Sequence, residues 1–308
     1  MNRLVPVRKT SVALSTLALA ALALTGCSAS ADSASCDRTG SAHGIDASAI
    51  VKGEVGKAPQ VTINAPTYAQ QTSFTDLVTG DGDTINESSQ LFLGTVQLYS
   101  GATGAQVASS GDGLGLLSAD TIDQQFPGIG KGLVCATAGS RVLSAVPAKD
   151  LPEQVQASLP EDDSIFAVTD IVDTTLPHAE GRALFHDAHG LPTVVRAANG
   201  RPGVIVPRTD APTKLVSQTL IEGSGEEITE KDAPVYAYTA VSWDSREVTN
   251  STWDAVPSIN LQDVPEEVAA QITSATVGSQ LMVVVPGEGD AGATVYVVDV
   301  LGALPAAG

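Results

Sequence analysis

Few residues in this 308-residue chain have the types and spacing that enzyme chemistry usually requires. Three of its four histidines, His178, His186 and His189, lie close together, and clustered imidazoles can bind a metal ion. No cysteine lies near them and histidines are also common in linkers, so we expect neither a metal nor another cofactor. The segment 111–115 is glycine-rich, but the sequence contains no P-loop, G-x-S-x-G or H-E-x-x-H motif.

The N-terminal segment resembles a bacterial lipoprotein signal. Basic residues precede an apolar run over 11–25, which ends in Leu-Thr-Gly followed by Cys27. The run is short for a transmembrane helix and typical of a secretory signal. We expect 1–26 to be removed and Cys27 to be lipidated, which would anchor the chain at the extracytoplasmic face of the cell membrane. The alternative is an ordinary signal peptide with a chance cysteine.

Two further cysteines, Cys36 and Cys135, remain if Cys27 is lipidated. An exported protein meets an oxidising environment, so a remaining pair favours one disulfide. The alternative is two separate thiols, with Cys135 buried as a small apolar residue.

Composition limits the classes of partner. The net charge of −19 would repel phosphate backbones, so we expect no nucleic acid partner. A hydrophobic content of 43% is enough for ordinary cores, whereas an aromatic content of 4% leaves few side chains for an apolar binding pocket. The length predicts about two domains.

A repeat divides the chain. AGSRVLSAVPA at 138–148 returns as VGSQLMVVVPG at 277–287, and other pairs of stretches follow in constant order. These pairs are 57–61 with 191–194, 77–82 with 220–225, 90–97 with 235–241, 104–110 with 245–251, 126–133 with 265–272, and 165–172 with 294–301. The pattern predicts homologous domains over 46–175 and 188–308, a linker over 176–187 and a flexible spacer over 27–45.

The elements of one domain can be inferred from the second copy. The stretches 235–243, 280–285 and 294–301 are rich in β-branched and aromatic residues and predict strands. Residues 264–275 favour a helix, with Asp263 as the N-cap and Glu266 three residues later. We therefore expect an α+β domain in which a sheet packs on one short helix.

In this order the motifs of each half resemble those of FKBP-type peptidyl-prolyl cis-trans isomerases. The second half carries the resemblance in TLIEGSGEEI, in the strand around Tyr236–Thr239, in SREVTNSTW, in 263–286 and in ATVYVVDVLG. The resemblance implies two domains, each a twisted, mostly antiparallel sheet wrapped on a short helix, with an aromatic pocket between the sheet and the helix.

The resemblance also implies which residues line each pocket. In the second half they are Tyr238, Val248, Val264, Pro265, Val268 and Tyr296, and in the first half Val107, Phe126, Ile129 and Phe166 or Ala167. The same residues could equally be core. The family's Phe-Asp pair becomes Val248-Thr249 and Val107-Ala108, and the first half has Gly94 near the position of the pocket tyrosine Tyr238, so both copies depart from the pattern.

This resemblance implies isomerisation of X–Pro bonds in exported or unfolded polypeptides. Such catalysis needs no metal, nucleophile or general acid, because the site only has to bind the twisted amide better than the planar forms. We expect weak isomerase activity, mainly in the second half. The alternative is a lipid-anchored protein-binding module that has lost catalysis.

Overall fold

The computed structural model describes residues 36, 38, 44–111, 113–186, 189–229, 232–287 and 292–305. These residues belong to one compact unit. The predicted signal peptide, Cys27 and most of the spacer lie outside the described residues. Within the described residues, the helices are all too short or too polar to span a membrane.

Strands dominate both halves of the chain. The first half contains β1 (Ala49–Lys52), β2 (Gln60–Ile63), β3 (Ser73–Val78), β4 (Leu91–Ser100), β5 (Gln106–Ser109), β6 (Gly115–Ser118), α1 (Ala119–Gln125), β7 (Arg141–Pro147), α2 (Glu153–Gln156) and β8 (Ser164–Thr174). The second half contains β9 (Gly181–Ala183), β10 (Thr193–Arg196), β11 (Pro202–Ile205), β12 (Val216–Gly223), β13 (Asp232–Ser242), β14 (Val248–Ser251), α3 (Glu266–Ile272), β15 (Gln280–Val285) and β16 (Thr294–Pro305).

The two halves have the same sheet topology. The first sheet has the order β3-β7-β8-β4-β5, with β6 also paired to β4, and the second has β12-β15-β16-β13-β14, with β9 added beside β12. Every pairing is antiparallel. The expectation of mostly antiparallel sheets with few helices is therefore confirmed.

Each sheet is covered on both faces. The inner face, as we call it, packs against the helical segments of its half, and the outer face packs against a two-stranded hairpin, β1–β2 or β10–β11. Because successive side chains of a strand point to opposite faces, burial on both sides requires continuous apolar runs. This explains why 280–285 reads QLMVVV without polar alternation.

The hairpins correct one pairing of the sequence repeat. Residues 57–61 were matched with 191–194, which lead into β10. In the structure 60–63 form the second strand of their hairpin, and the second strand of the other hairpin is β11. The pairing of 57–61 with 191–194 is therefore wrong, because the first stretch enters the second strand of its hairpin and the other enters the first strand.

The helices also differ from the expectation. Helix α3 begins at Glu266 and ends at Ile272, shorter than predicted, and Pro265 occupies its N-cap position without a side-chain hydrogen bond. Asp263 is therefore not the N-cap; its carboxylate accepts hydrogen bonds from Ser258 and Asn260 instead. In the first half, 126–133 was matched with this helix but contains only a 3-10 turn at Gly130–Gly132, which follows α1.

The predicted linker belongs partly to the second sheet. Strand β9 lies within 176–187 and pairs with β12, so a boundary at 188 would remove an edge strand. Next to it, a shared apolar cluster joins the two halves; it comprises Leu91, Leu116, Leu176, Val235, Ala237, Trp253, Leu301 and Leu304.

The start of the described chain is tied to the first half. Cys36 and Cys135 form a disulfide with their Cα atoms 5.2 Å apart, the pairing that the cysteine count favours. Arg38 forms an ion pair with Asp76, donates to the Val134 carbonyl and lies 5.0 Å from the centre of the Phe74 ring.

Candidate functional site

Two tyrosines mark the inner face of the second sheet. Tyr238 on β13 and Tyr296 on β16 have ring centroids 6.2 Å apart, tilted by 41°. Tyr296 lies directly opposite Ala240, two residues along β13 from Tyr238, so both rings point to the same face. Tyr236 extends this row at 6.1 Å from Tyr238.

Helix α3 supplies the facing layer. Val268 and Ile272 are four residues apart, lie on one helical face and are fully buried. Val264, just before the helix, is 7% exposed and joins the same cluster as Tyr238, Val268 and Tyr296. The structure thus brings together four of the six residues predicted for the second pocket.

The other two predicted residues are placed differently. Val248 lies on β14 opposite Val241, whose side chain packs on the outer face, and it is 58% exposed. It is therefore not a wall of the inner-face cluster. Pro265 is partly exposed at the start of α3 and lies beside the cluster without being a member of its apolar core.

Hydrogen bonds hold the tyrosine row. The Tyr238 hydroxyl donates to the carbonyl of Asp263 at 3.3 Å and accepts from Nδ2 of Asn250 at 2.7 Å. The Tyr236 hydroxyl donates to the Asn260 carbonyl at 2.8 Å. Asn250 did not emerge from the sequence, since only the register of β14 places it beside Tyr238.

Burial raises the pKa of the Tyr238 and Tyr296 phenols. Desolvation raises the pKa of Tyr238, and the nearby Asp263 charge raises it further, while the Asn250 hydrogen bond lowers it. Burial also raises the pKa of Tyr296. Since a free tyrosine has a pKa of about 10, both hydroxyls retain their hydrogen at neutral pH and can donate it.

The first half lacks the tyrosine pair. Strand register puts Val96 in the place of Tyr238 and Ala167 in the place of Tyr296. Gly94 corresponds to Tyr236, and a Cβ there would lie 2.1 Å from the Asp170 carbonyl oxygen and 2.9 Å from the Phe92 ring.

Two predicted residues of the first pocket are also misplaced. Phe166 is 1% exposed but packs on the outer face with the β1–β2 hairpin, so Phe166 as a pocket residue is wrong; the alternative, Ala167, is the one on the inner face. Val107 is 47% exposed and occupies a β-bulge between β4 and β5. Phe126 and Ile129 do lie in the inner-face core.

A long connection covers this core. Residues 148–163, between β7 and β8, include α2, and Leu151, Val155 and Leu159 from this segment pack on the inner-face cluster. In the second half only 286–293 join β15 to β16. The first inner face is therefore closed by its own chain.

The described cavities lie elsewhere. One of about 780 Å³ lies beside residues 148–163 and is bordered by Tyr68, Pro147 and Leu159. Another of about 330 Å³ lies between the halves, near Asp83, Glu226 and Leu301. Tyr238, Val268 and Tyr296 border neither cavity, although Val277 and Ala303, which pack against the same cluster, border the second.

The clustered histidines do not converge in the described structure. Nδ1 of His178 lies 3.2 Å from the Ala179 carbonyl oxygen, and Nε2 of His186 lies 2.7 Å from that of Thr219. Among the described residues, no group of three His, Cys, Asp or Glu side chains is arranged to hold a metal ion.

No family model and no curated protein matches the chain. Solved structures that do match are of the FKBP type. The three FKBP domains of wheat FKBP73 are 13% identical, with a TM-score of 0.33 over 76% of this chain and 94% of that one. The N-terminal domain of FKBP42 from Arabidopsis thaliana is 12% identical, with a TM-score of 0.30 over 40% and 98%.

FkpA from Escherichia coli is 14% identical, with a TM-score of 0.27 over 33% of this chain and 47% of that chain. These TM-scores and identities are low, and the similarity concerns the fold alone.

Proposed function

We propose that the chain is a tandem protein with two FKBP-like domains, whose second domain is a weak peptidyl-prolyl cis-trans isomerase. Its substrates would be proline-containing segments of exported polypeptides. Lipidated Cys27 would hold it at the extracytoplasmic face of the membrane. The first domain would run to the end of β8 and be non-catalytic, and the second would begin with β9.

Rotation of an X–Pro bond requires few functional groups from the protein. Rotation of an X–Pro bond is slow because the amide has partial double-bond character, with a barrier of about 18–20 kcal/mol. Twisting weakens the amide dipole, so an apolar wall favours the twisted form over the planar forms. A hydroxyl that donates to the carbonyl oxygen can add to this preference.

The observation that supports the proposal is the pair Tyr238 and Tyr296 facing Val268 across the sheet–helix junction. The pair combines apolar rings with hydroxyls that keep their hydrogen. The first half has Val96 and Ala167 at the corresponding positions and is covered by residues 148–163.

A second candidate is a binding module without turnover. One observation favours it: the Tyr238 side chain is only 2% exposed, so a ligand would have to displace neighbouring side chains to reach the ring. Such a module would bind a prolyl peptide at the edge of the cluster and release it unchanged.

The two candidates are separated by measuring proline exchange and peptide affinity on the full chain. The informative variant replaces the tyrosines by their first-half counterparts, Tyr238→Val with Tyr296→Ala. We expect wild type to accelerate exchange in a proline tetrapeptide and the double variant to lose at least about tenfold, the effect of roughly 1.4 kcal/mol of lost stabilisation.

Val107→Ala is the matched control, because Val107 is exposed and outside the inner-face core. Circular dichroism must show that each variant is folded. If folded wild type binds the peptide without accelerating exchange, the binding module replaces the isomerase.

A further inference from the structure

The carboxamide of Asn250 is fixed at both ends. Its Nδ2 donates to the Tyr238 hydroxyl at 2.7 Å, and its Oδ1 accepts from the backbone N–H of Ser251 at 2.9 Å. Asn250 is exposed, whereas Tyr238 is 2% exposed. A surface side chain therefore holds the hydroxyl of a buried ring.

A β-bulge creates this contact. Asn250 pairs with Ala240, but the next pair joins Val241 to Val248, so Thr249 is the extra residue. Asn250 consequently faces the inner side beside Tyr238. The hydroxyl of Thr249 turns back to the Ala240 carbonyl at 3.3 Å.

The first half has the same bulge without the contact. Leu98 pairs with Ala108 and Tyr99 with Gln106, so Val107 is its extra residue. Ala108 therefore corresponds to Asn250, just as Val96 corresponds to Tyr238. The amide and the phenol occur together in one half and are absent together from the other.

The direction of the hydrogen bonds has a consequence for the phenol. An amide nitrogen only donates, so the Tyr238 oxygen accepts and its own hydrogen is directed elsewhere. In the free protein that hydrogen goes to the Asp263 carbonyl over 3.3 Å, which is a long contact. A peptide carbonyl that reached the hydroxyl would have only this long hydrogen bond to replace.

We propose that Asn250 is a positioning residue of the second-half site, which holds the Tyr238 phenol in the orientation that receives a prolyl peptide. This rests on the proposed function, since it assigns a role at the same site. The side chain acts through Tyr238 and takes no part in a covalent step.

The test compares four variants of the full chain: Asn250→Ala, Asn250→Leu, Asn250→Asp and Thr249→Ala. Asn250→Ala and Asn250→Leu remove the hydrogen bond, with Leu retaining the volume, and we expect each to lower kcat/KM and the affinity for a proline tetrapeptide about tenfold. Asn250→Asp retains the shape, but its carboxylate only accepts and would take the hydrogen of the Tyr238 hydroxyl, so we expect it to lose as much of both as Asn250→Ala. Thr249→Ala, at the bulge, should match wild type.

A second readout follows the contact itself. In protein labelled with 3-fluorotyrosine, the resonance of residue 238 is assigned by Tyr238→Phe and titrated by ¹⁹F NMR. Loss of a donor to the phenol oxygen disfavours the phenolate, so Asn250→Ala should raise the pKa of Tyr238. Asn250→Asp should raise it further because a carboxylate repels the phenolate, and Thr249→Ala should leave it unchanged.

The outcomes separate this proposal from the proposed function. Wild type that binds peptide without turnover overturns the isomerase, while an affinity loss in Asn250→Ala still supports the positioning role. Unchanged affinity and kcat/KM in Asn250→Ala overturn the positioning role alone, as does an unmoved titration of Tyr238. Neither binding nor turnover by wild type overturns both.

Discussion

Each half buries an aspartate at the same place on the outer face of its sheet, but the partners differ. Asp170 lies opposite Arg141, whose Nε and Nη2 donate to it at 2.6 and 2.7 Å, with both side chains almost fully buried. Asp299 lies opposite Gln280, whose amide donates at 2.7 Å. The first site is a complete ion pair, and the second has a neutral partner in the sheet.

In the second half, the positive charge near the buried Asp299 comes from Arg196 of the β10–β11 hairpin. Arg196, at the end of β10, lies 3.9 Å from Asp299 and donates to the Ala179 carbonyl at 2.7 Å, while the Ala179 N–H donates to Asp299 at 2.8 Å. Burial raises the pKa of Asp299, and its hydrogen bonds to Ala179 and Gln280, with the charges of Arg196 and His178, only partly oppose this.

We therefore predict that Asp299→Asn gains stability relative to wild type as pH rises. The folded-state pKa of Asp299 lies above that of an unfolded aspartate, about 3.9, so its stabilising contribution is present below that pH and is lost as pH rises through the folded value. The Asp299→Asn variant has no carboxyl group at this position and therefore no such loss. Urea unfolding between pH 4 and 8 should show the difference growing by at most about 1.4 kcal/mol per pH unit.

Asp254→Asn is the control, because its effect on the pH dependence of the free energy of unfolding has the opposite sign. Asp254 is exposed, and its pKa is lowered by the hydrogen bond from Arg201, so its contribution is present at higher pH and lost as pH falls. If the free energies of unfolding of wild type and Asp299→Asn change in parallel with pH, burial does not raise the pKa of Asp299.

At the scale of elements, the sequence predicts strands well and register poorly. Alternating and continuous apolar runs identify β13, β15 and β16, because burial on one or both faces requires them. A shift of one residue exchanges the faces of a strand, so the sequence alone does not distinguish Phe166 from Ala167 as the inner-face residue. The bulges at Thr249 and Val107 leave no compositional signal, so Val248 was misplaced and Asn250 was missed.

Glycines explain the helix that fails to form over 126–133. Gly128 has a φ of +99°, and a Cβ at Gly132 would lie 2.8 Å from the Cβ of Phe74 and 2.9 Å from the Ser144 hydroxyl. The segment approaches β3 and β7 more closely than a helix with side chains could. Its counterpart in the second half has Glu267 and Gln271 at these positions and forms α3.

We predict that Gly132→Ala destabilises the protein by about 1–3 kcal/mol, as expected for overpacking of a tight core. Gly115→Ala is the matched control, because the nearest atom to its Cβ would be the Gly94 oxygen at 4.0 Å. Midpoints of urea unfolding measure both variants. Equal unfolding midpoints for the two variants would mean that the structure around Gly132 accommodates a methyl group without loss of stability.

At the scale of the molecule, the repeat predicts two similar units, whereas their contact could not be predicted. Leu91 from β4 packs with Val235 and Leu301 from the second sheet, and the N–H of Leu176 donates to the Leu301 carbonyl at 2.8 Å. Leu91, on the outer face of the first sheet, is therefore part of the interface between the two halves. Comparing the sequences of the two copies does not reveal this contact. This packing is the reason that variants are best tested in the full chain.

The disulfide limits the length of the proposed tether to the membrane. If Cys27 carries the lipid, eight residues lie between it and Cys36, where the bond to Cys135 fixes the chain on the first half. Fully extended residues span at most about 3.3–3.6 Å each, so the attachment at Cys36 would lie within roughly 30 Å of the bilayer surface.

We predict that Cys27→Ser releases the protein into the soluble fraction and abolishes acyl labelling, because stable anchoring depends on buried acyl chains at about 0.8 kcal/mol per CH₂. Cys135→Ser is the matched control: it opens a disulfide that spans 99 residues of sequence, so it should lower the free energy of unfolding by about 2–5 kcal/mol, yet leave the protein on the membrane. Fractionation and metabolic labelling with palmitate measure the two variants together. Membrane retention and labelling of Cys27→Ser at the wild-type level would contradict the lipid anchor at Cys27 and the membrane location that depends on it. The proposals for Tyr238 and Asn250 do not depend on this result and are tested by their own measurements.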